Sequence, residues 1–129
     1  MKQLILIRHA KSDWGNEGLK DIDRHLNERG YSDAYLMADW YAENQKLPDH
    51  IISSTATRAL STAMIFARRF ESKITGIELE PGIYEAHEEY LLEIIHNISD
   101  THKRVMLFGH NPGLTNLSNR MAPGTYFDN

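Results

Sequence analysis

The stretch LILIRHAKSDW, Leu4 to Trp14, runs through four apolar residues and then turns abruptly to Arg8, His9, Lys11, Ser12 and Asp13. Taken with Gln3, the run Leu4 to Ile7 is short and continuously apolar. That is the pattern of a strand covered on both faces, not of one alternating between core and water. An arginine and a histidine at the end of such a strand are costly to bring near a core unless something negative sits against them. The nature of that negative partner decides how the rest of the chain is read.

Working outward, two more stretches have the same character. HIISS, His50 to Ser54, and RVMLFGH, Arg104 to His110, both read as buried strands. A fourth segment, Ile77 to Pro81, alternates apolar and charged residues, as a half-exposed or edge strand does. Helical patterns fall between them. Asn27 is placed to cap a helix with Ala34, Met37, Ala38 and Tyr41 on one face, ended by Leu47-Pro48. Ser54 or Thr55 is placed to cap a second helix, whose stripe is Ala59, Ala63, Phe66 and Phe70. Glu88 and Glu89 suit the first turn of a third, with Leu91, Ile95 and Ile98 inward. After Pro112-Gly113 a fourth runs through Leu114, Leu117 and Met121. Strand and helix in alternation predict an α/β fold, a three-layer sandwich around a mainly parallel central sheet. With no repeat, low-complexity tract or linker, residues 1–129 read as a single domain.

Composition narrows the function. The chain has 129 residues, 41% hydrophobic and 25% charged, with a net charge of −4. The acidic balance, with a pI of about 5.9, argues against a general nucleic-acid binder. The absence of cysteine excludes disulfides, thiolate metal sites and cysteine nucleophiles, and fits a reducing compartment. No apolar run approaches the length of a membrane span, and the apolar run near the N-terminus is too short for a signal peptide. The expectation is a cytoplasmic protein without membrane or nucleic-acid partners. The oligomeric state is not legible.

The residues just beyond each buried strand are more informative. Arg8 and His9 come after the first, the turn SSTATR with Arg58 after the second, and Gly109 and His110 after the third. In a parallel sheet these sets share one rim, where ligands of such sheets bind. Taken singly, each has an ordinary reading as surface charge, helix-end ion pair or Gly/Pro turn. Together, two arginines and two histidines make a site for a small dianion. Phosphate suits it, because guanidinium groups pair with its oxygens as a bidentate fork. Imidazole held neutral by neighbouring arginines is a nucleophile. Its other ring nitrogen then needs an acceptor, such as a backbone carbonyl, to set the tautomer. Ser12 is read as hydrogen-bonding within its own loop. The remaining histidines lack the spacing of metal ligands, so no metal site is expected.

These segments resemble the motifs of the histidine phosphatase superfamily, the phosphoglycerate-mutase-like group. LIRHAKS (Leu6 to Ser12) is similar to its signature, SSTATRALSTA (Ser53 to Ala63) to its second-arginine motif, and GHNPGL (Gly109 to Leu114) to its second-histidine motif. The alanine after His9, the KSDW continuation and DIDRHLNERG (Asp21 to Gly30) resemble the SixA-type phosphohistidine phosphatase branch, which usually has proline where His25 stands. The resemblance implies that His9 accepts the phosphoryl group as phosphohistidine, that Arg8, Arg58 and His110 grip its oxygens, and that water then releases phosphate without a cofactor or metal. It also implies an acidic proton donor. Glu85, in the sequence GIYEAHEEY, fits best, with Glu88 and Glu89 as alternatives. It further implies a last sheet element after the helix beginning near Leu114, and the expectation is that this chain, which stops at APGTYFDN, is without it.

The segments between motifs leave no room for a large cap. An open rim suits a phosphorylated residue presented by a protein, such as a histidine phosphotransfer domain. The expectation is therefore a protein phosphohistidine phosphatase. A small-molecule phosphomonoesterase on the same site is the alternative, and a non-catalytic phosphate-binding module is the reading from another class.

Overall fold

The structure, a computed structural model, describes residues 3–122 and residue 124. Four strands, β1 (Gln3–Arg8), β2 (His50–Ser53), β3 (Glu78–Leu79) and β4 (Arg104–Gly109), form a sheet in the order β1-β4-β2-β3. Every pairing in it is parallel. The helices are α1 (Glu28–Asn44), α2 (Thr57–Arg69), α3 (Glu88–His96) and α4 (Gly113–Met121).

The layers follow from the side-chain period of the central strand. Met106 and Phe108 of β4 pack in one cluster with Ala34, Ala38, Ala63 and Phe66 from α1 and α2. Val105 and Leu107 point the other way, into a cluster with Leu91, Ile95, Leu114 and Leu117 from α3 and α4. Successive strand residues face opposite sides, so a strand with helices on both sides must be apolar throughout. This is why the run Val105 to Phe108 has no polar alternation. The expected three-layer α/β fold around a parallel central sheet is present.

Several local expectations need correction. Met37 is exposed, because the buried face of α1 runs through Gly30, Ala34, Ala38 and Tyr41, one position further round the helix. Met121 is also exposed, at the last turn of α4. The strand expected over Ile77 to Pro81 shrinks to Glu78 and Leu79. It is pinched between a 3-10 turn at Ile74–Gly76 and another at Pro81–Ile83, which Glu80 caps by accepting from the Gly82 N–H. Asn27 does cap α1, its side chain accepting from the Gly30 N–H at 2.7 Å. Neither Ser54 nor Thr55 is the cap of α2, which begins after Ala56 without a side-chain cap. The expectation that a last sheet element after α4 is missing falls outside the described residues.

Gly30 fixes the first turn of α1 against the loop after β1. A Cβ there would stand 2.0 Å from the Lys11 carbonyl oxygen, which instead accepts a hydrogen bond from Asn27. Gly30→Ala is therefore expected to cost roughly 1–3 kcal/mol of overpacking, read as a lower midpoint in urea unfolding. An unchanged midpoint would mean that α1 and this loop are not in contact.

Candidate active site

The parallel register brings the three strand ends level. Arg8 pairs with Gly109 and Ser53 with Phe108. The ladder continues one step further, with the His9 N–H on the Gly109 carbonyl at 3.1 Å and the Ser54 N–H on the Phe108 carbonyl at 3.0 Å. Beyond that step the backbone diverges and leaves a cavity of about 610 Å³, bordered by Arg8, His9, Trp14, Arg24, Arg58 and His110 among others. Arg8, His9, Arg58 and His110 thus meet at one place, as the sequence led us to expect.

Each side chain is held differently. Arg8 is exposed to solvent, so its charge keeps its hydration and the cost expected for a buried pair does not arise at that residue. Arg58 is buried instead, only 5% exposed, in the first turn of α2. Its Nη1 donates to the Asp21 carbonyl at 2.7 Å and its Nη2 to Asp21 Oδ2 at 3.1 Å. The Thr62 hydroxyl donates to the Arg58 carbonyl and accepts from the Ala10 N–H, tying α2 to the segment after His9.

The two imidazoles lie with ring centroids 5.2 Å apart. His9 Nδ1 is 2.7 Å from the Ala10 carbonyl oxygen, the kind of backbone acceptor that a fixed tautomer requires. A carbonyl accepts only, so Nδ1 carries the proton and Nε2 keeps its lone pair. Burial pushes the His9 pKa below its ordinary value of 6.5, helped by the charges of Arg58, Arg8 and Arg24 and opposed by the Ala10 hydrogen bond. His110 is lowered further, to about 4, first by burial and then by Arg58. Both rings are therefore neutral at pH 7. His110 Nε2 lies 2.8 Å from Ser54 Oγ, which also accepts from the Ala56 N–H. Among the described residues the Ser54 hydroxyl proton has no other acceptor, so it is donated to Nε2 and the His110 proton resides on Nδ1.

Two buried side-chain polar atoms among the described residues lack a partner: Arg58 Nε and His110 Nδ1. Buried polar groups are nearly always paired, and leaving one unpaired costs roughly 1–3 kcal/mol. Here both are donors, they belong to two residues lining the same cavity, and their common complement is an anion.

Four contributors were not legible as such in the sequence. Arg24 lines the cavity, with its guanidinium bonded to Ser12 Oγ and to Asp21 Oδ1. Asp21 accepts from Arg24, Arg58 and the Tyr84 hydroxyl, which is 2.6 Å from Oδ2. Those partners, Tyr84 first, hold its carboxyl down to about 2, while the same bond raises the Tyr84 hydroxyl to about 12. Ser54 reads in the sequence only as a helix cap. Glu85 does not border the main cavity. It lines an adjoining pocket of about 260 Å³ that shares Arg58 and His110 with the main one. Its φ of 58° is left-handed, which is rare for a residue with a side chain and marks a locally constrained turn. Glu88 and Glu89 sit in the first turn of α3, and Glu89 pairs with Arg120 at 3.8 Å.

This fold and cavity define a family. Residues 4–111 match the model of the histidine phosphatase superfamily (branch 1), and the chain belongs to that superfamily. Its SixA-type features agree with a solved structure of a candidate phosphohistidine phosphatase SixA from Agrobacterium tumefaciens. The two are 36% identical with a TM-score of 0.86, over 93% of this chain and 76% of that one. A SixA protein histidine phosphatase solved with tungstate shares the fold, at 19% identity and a TM-score of 0.79, over 96% of this chain and 79% of that one. An uncharacterised chloroplastic protein of Arabidopsis thaliana is 31% identical over 87% of this chain, which spans 55% of the Arabidopsis protein's length.

The unpaired donors have a measurable consequence. A bound phosphate dianion is expected to move the His110 titration upward from about 4, observed by NMR of the imidazole with and without inorganic phosphate. In the free protein the unfolded chain takes up the His110 proton below about 6.5, whereas the folded chain resists until about 4. Stability is therefore lost as pH falls through that window, and His110→Asn is expected to remove this share of the acid sensitivity. A His110 titration near 6.5 that ignores phosphate would contradict the geometry.

Proposed function

We propose that the protein is a phosphatase for phosphohistidine carried on other proteins, acting through a covalent phosphoryl group on His9. The observation that carries this reading is the unprotonated His9 Nε2, set in one cavity with two donors that have no partner. In the first step the Nε2 lone pair attacks phosphorus, a new P–N bond forms, and the bond to the substrate's imidazole breaks. Arg8, Arg58 Nε and His110 Nδ1 meet the peripheral oxygens, over which the charge of the transferring group is spread. In the second step water attacks phosphorus, the bond to His9 breaks, and inorganic phosphate leaves.

The leaving imidazole departs neutral if its remote nitrogen is protonated, so this substrate has little need of an acid from the enzyme. The exposed rim, where Arg8 and Trp14 face solvent, supports a substrate presented on a protein surface. A small-molecule phosphomonoesterase is the second reading. Glu85 favours it, standing where Arg58 and His110 border the adjoining pocket and able to protonate an alkoxide.

A parallel assay of a phosphohistidine protein and simple phosphate esters separates the two. Protein phosphohistidine is expected to have the higher kcat/KM, and Glu85→Gln to lower ester hydrolysis more than phosphohistidine hydrolysis. A preference for esters, all of it dependent on Glu85, would overturn the first reading. Arg58→Ala is expected to lower kcat/KM on either substrate on the order of 100-fold or more, and to weaken inhibition by inorganic phosphate. Wild-type kinetics in that variant would mean that Arg58 does not touch the transferring group. Turnover is expected to survive EDTA, since the guanidinium groups supply the charge a metal would otherwise bring.

A further inference from the structure

Trp14 borders the cavity, yet 76% of its surface is exposed. Phosphate binding does not account for a large indole in that position. Nor is the indole left loose. The Arg24 guanidinium lies 3.6 Å from the centroid of its ring, a cation held against an aromatic face. Arg24 is in turn anchored by Ser12 and Asp21. The loop itself is pinned, with the Asp13 N–H on the His25 carbonyl at 2.8 Å and the Gly15 N–H on Asp13 Oδ1 at 2.8 Å. A cavity of about 610 Å³ is also far more than one phosphoryl group fills. The space left beside Trp14 must take whatever the phosphorus is attached to.

We propose that Trp14 is a stacking platform for the leaving group, selecting phosphoryl groups carried on a flat unsaturated ring, as the imidazole of phosphohistidine is. The inference rests on the phosphohistidine reading and names the residue that would give it specificity. Arg24 fixes the plane of the indole, so little order has to be created when the ring of the substrate lies against it. An alkyl group offers no face to stack. Its contact with the indole is correspondingly weaker.

The test compares wild type, Trp14→Ala and Trp14→Phe on a phosphohistidine peptide, phenyl phosphate and ethyl phosphate. Each variant is referred to wild type on the same substrate, which cancels the intrinsic reactivity of the leaving groups. Trp14→Ala is expected to lose roughly 3- to 10-fold more kcat/KM on the two ring substrates than on ethyl phosphate, chiefly through KM. Trp14→Phe is expected to recover most of that difference. An equal loss on all three substrates would mean that the indole only steadies Arg24, and no loss would mean that it touches no substrate. Either result overturns the platform. Should wild type hydrolyse phenyl phosphate but not the phosphohistidine peptide, the phosphohistidine reading fails, and the phenyl-to-ethyl comparison alone decides the platform. An enzyme that hydrolyses none of the three would remove both.

Discussion

Positive charge crowded onto one rim of a parallel sheet is the constraint that the site is built around. Arg8, Arg24 and Arg58 border a single cavity with two imidazoles. Like charges so placed repel, and the protein relieves the repulsion in two ways. The imidazoles give up their charge, His110 most strongly, because burial and Arg58 act in the same direction. The arginines share one carboxylate, Asp21, which bonds to both Arg24 and Arg58. Asp21 takes up the Nη groups of Arg58 and leaves Nε unpaired. The arrangement is therefore charged, ordered and lined with hydrogen-bond donors, which suits a site for a group gaining negative charge in its transition state.

The surroundings keep that arrangement stiff. The segment after β1 is held from both sides, by Thr62 through the Ala10 N–H and by α1 through the close approach at Gly30. Ser12 is buried, bridges to Leu26 and accepts from Arg24. The loop that carries Trp14 thus belongs to the same bonded unit as Arg24 and Arg58. On the opposite side Tyr84 packs edge-on against His110, with centroids 5.6 Å apart, while its hydroxyl reaches Asp21. His9, Arg58, His110 and the rim are consequently positioned by one network and not by separate loops.

Much of this was legible in the sequence, for a physical reason. Continuous apolar runs ending in Arg or His reveal both a doubly covered strand and the rim it reaches, and the parallel register then does the rest. The layers were legible because α2 carries a clean stripe from Ala59 to Phe70. Met37 was misread because small residues form the buried face of α1, and alanine marks a face less clearly than a large side chain does. Asp21, Arg24 and Tyr84 are not legible because nothing in their local sequence distinguishes them from other polar residues of the loops. Asp21 lies 37 positions from Arg58 and 63 from Tyr84, so only the tertiary fold joins them. Ser54 stands out in the sequence for its place before a helix, but its hydrogen bond to His110 spans 56 positions.

The proposed reaction requires His9 to take the phosphoryl group at its unprotonated ring nitrogen. Trapping the enzyme during turnover of a phosphohistidine peptide, under alkaline denaturing conditions that preserve phosphoramidates, and mapping it by peptide mass spectrometry tests this most directly. One acid-labile phosphoryl group on the His9 peptide, absent from His9→Ala, is the result predicted. Steady turnover with no phosphoryl group on His9, or in the His9→Ala protein, would contradict it.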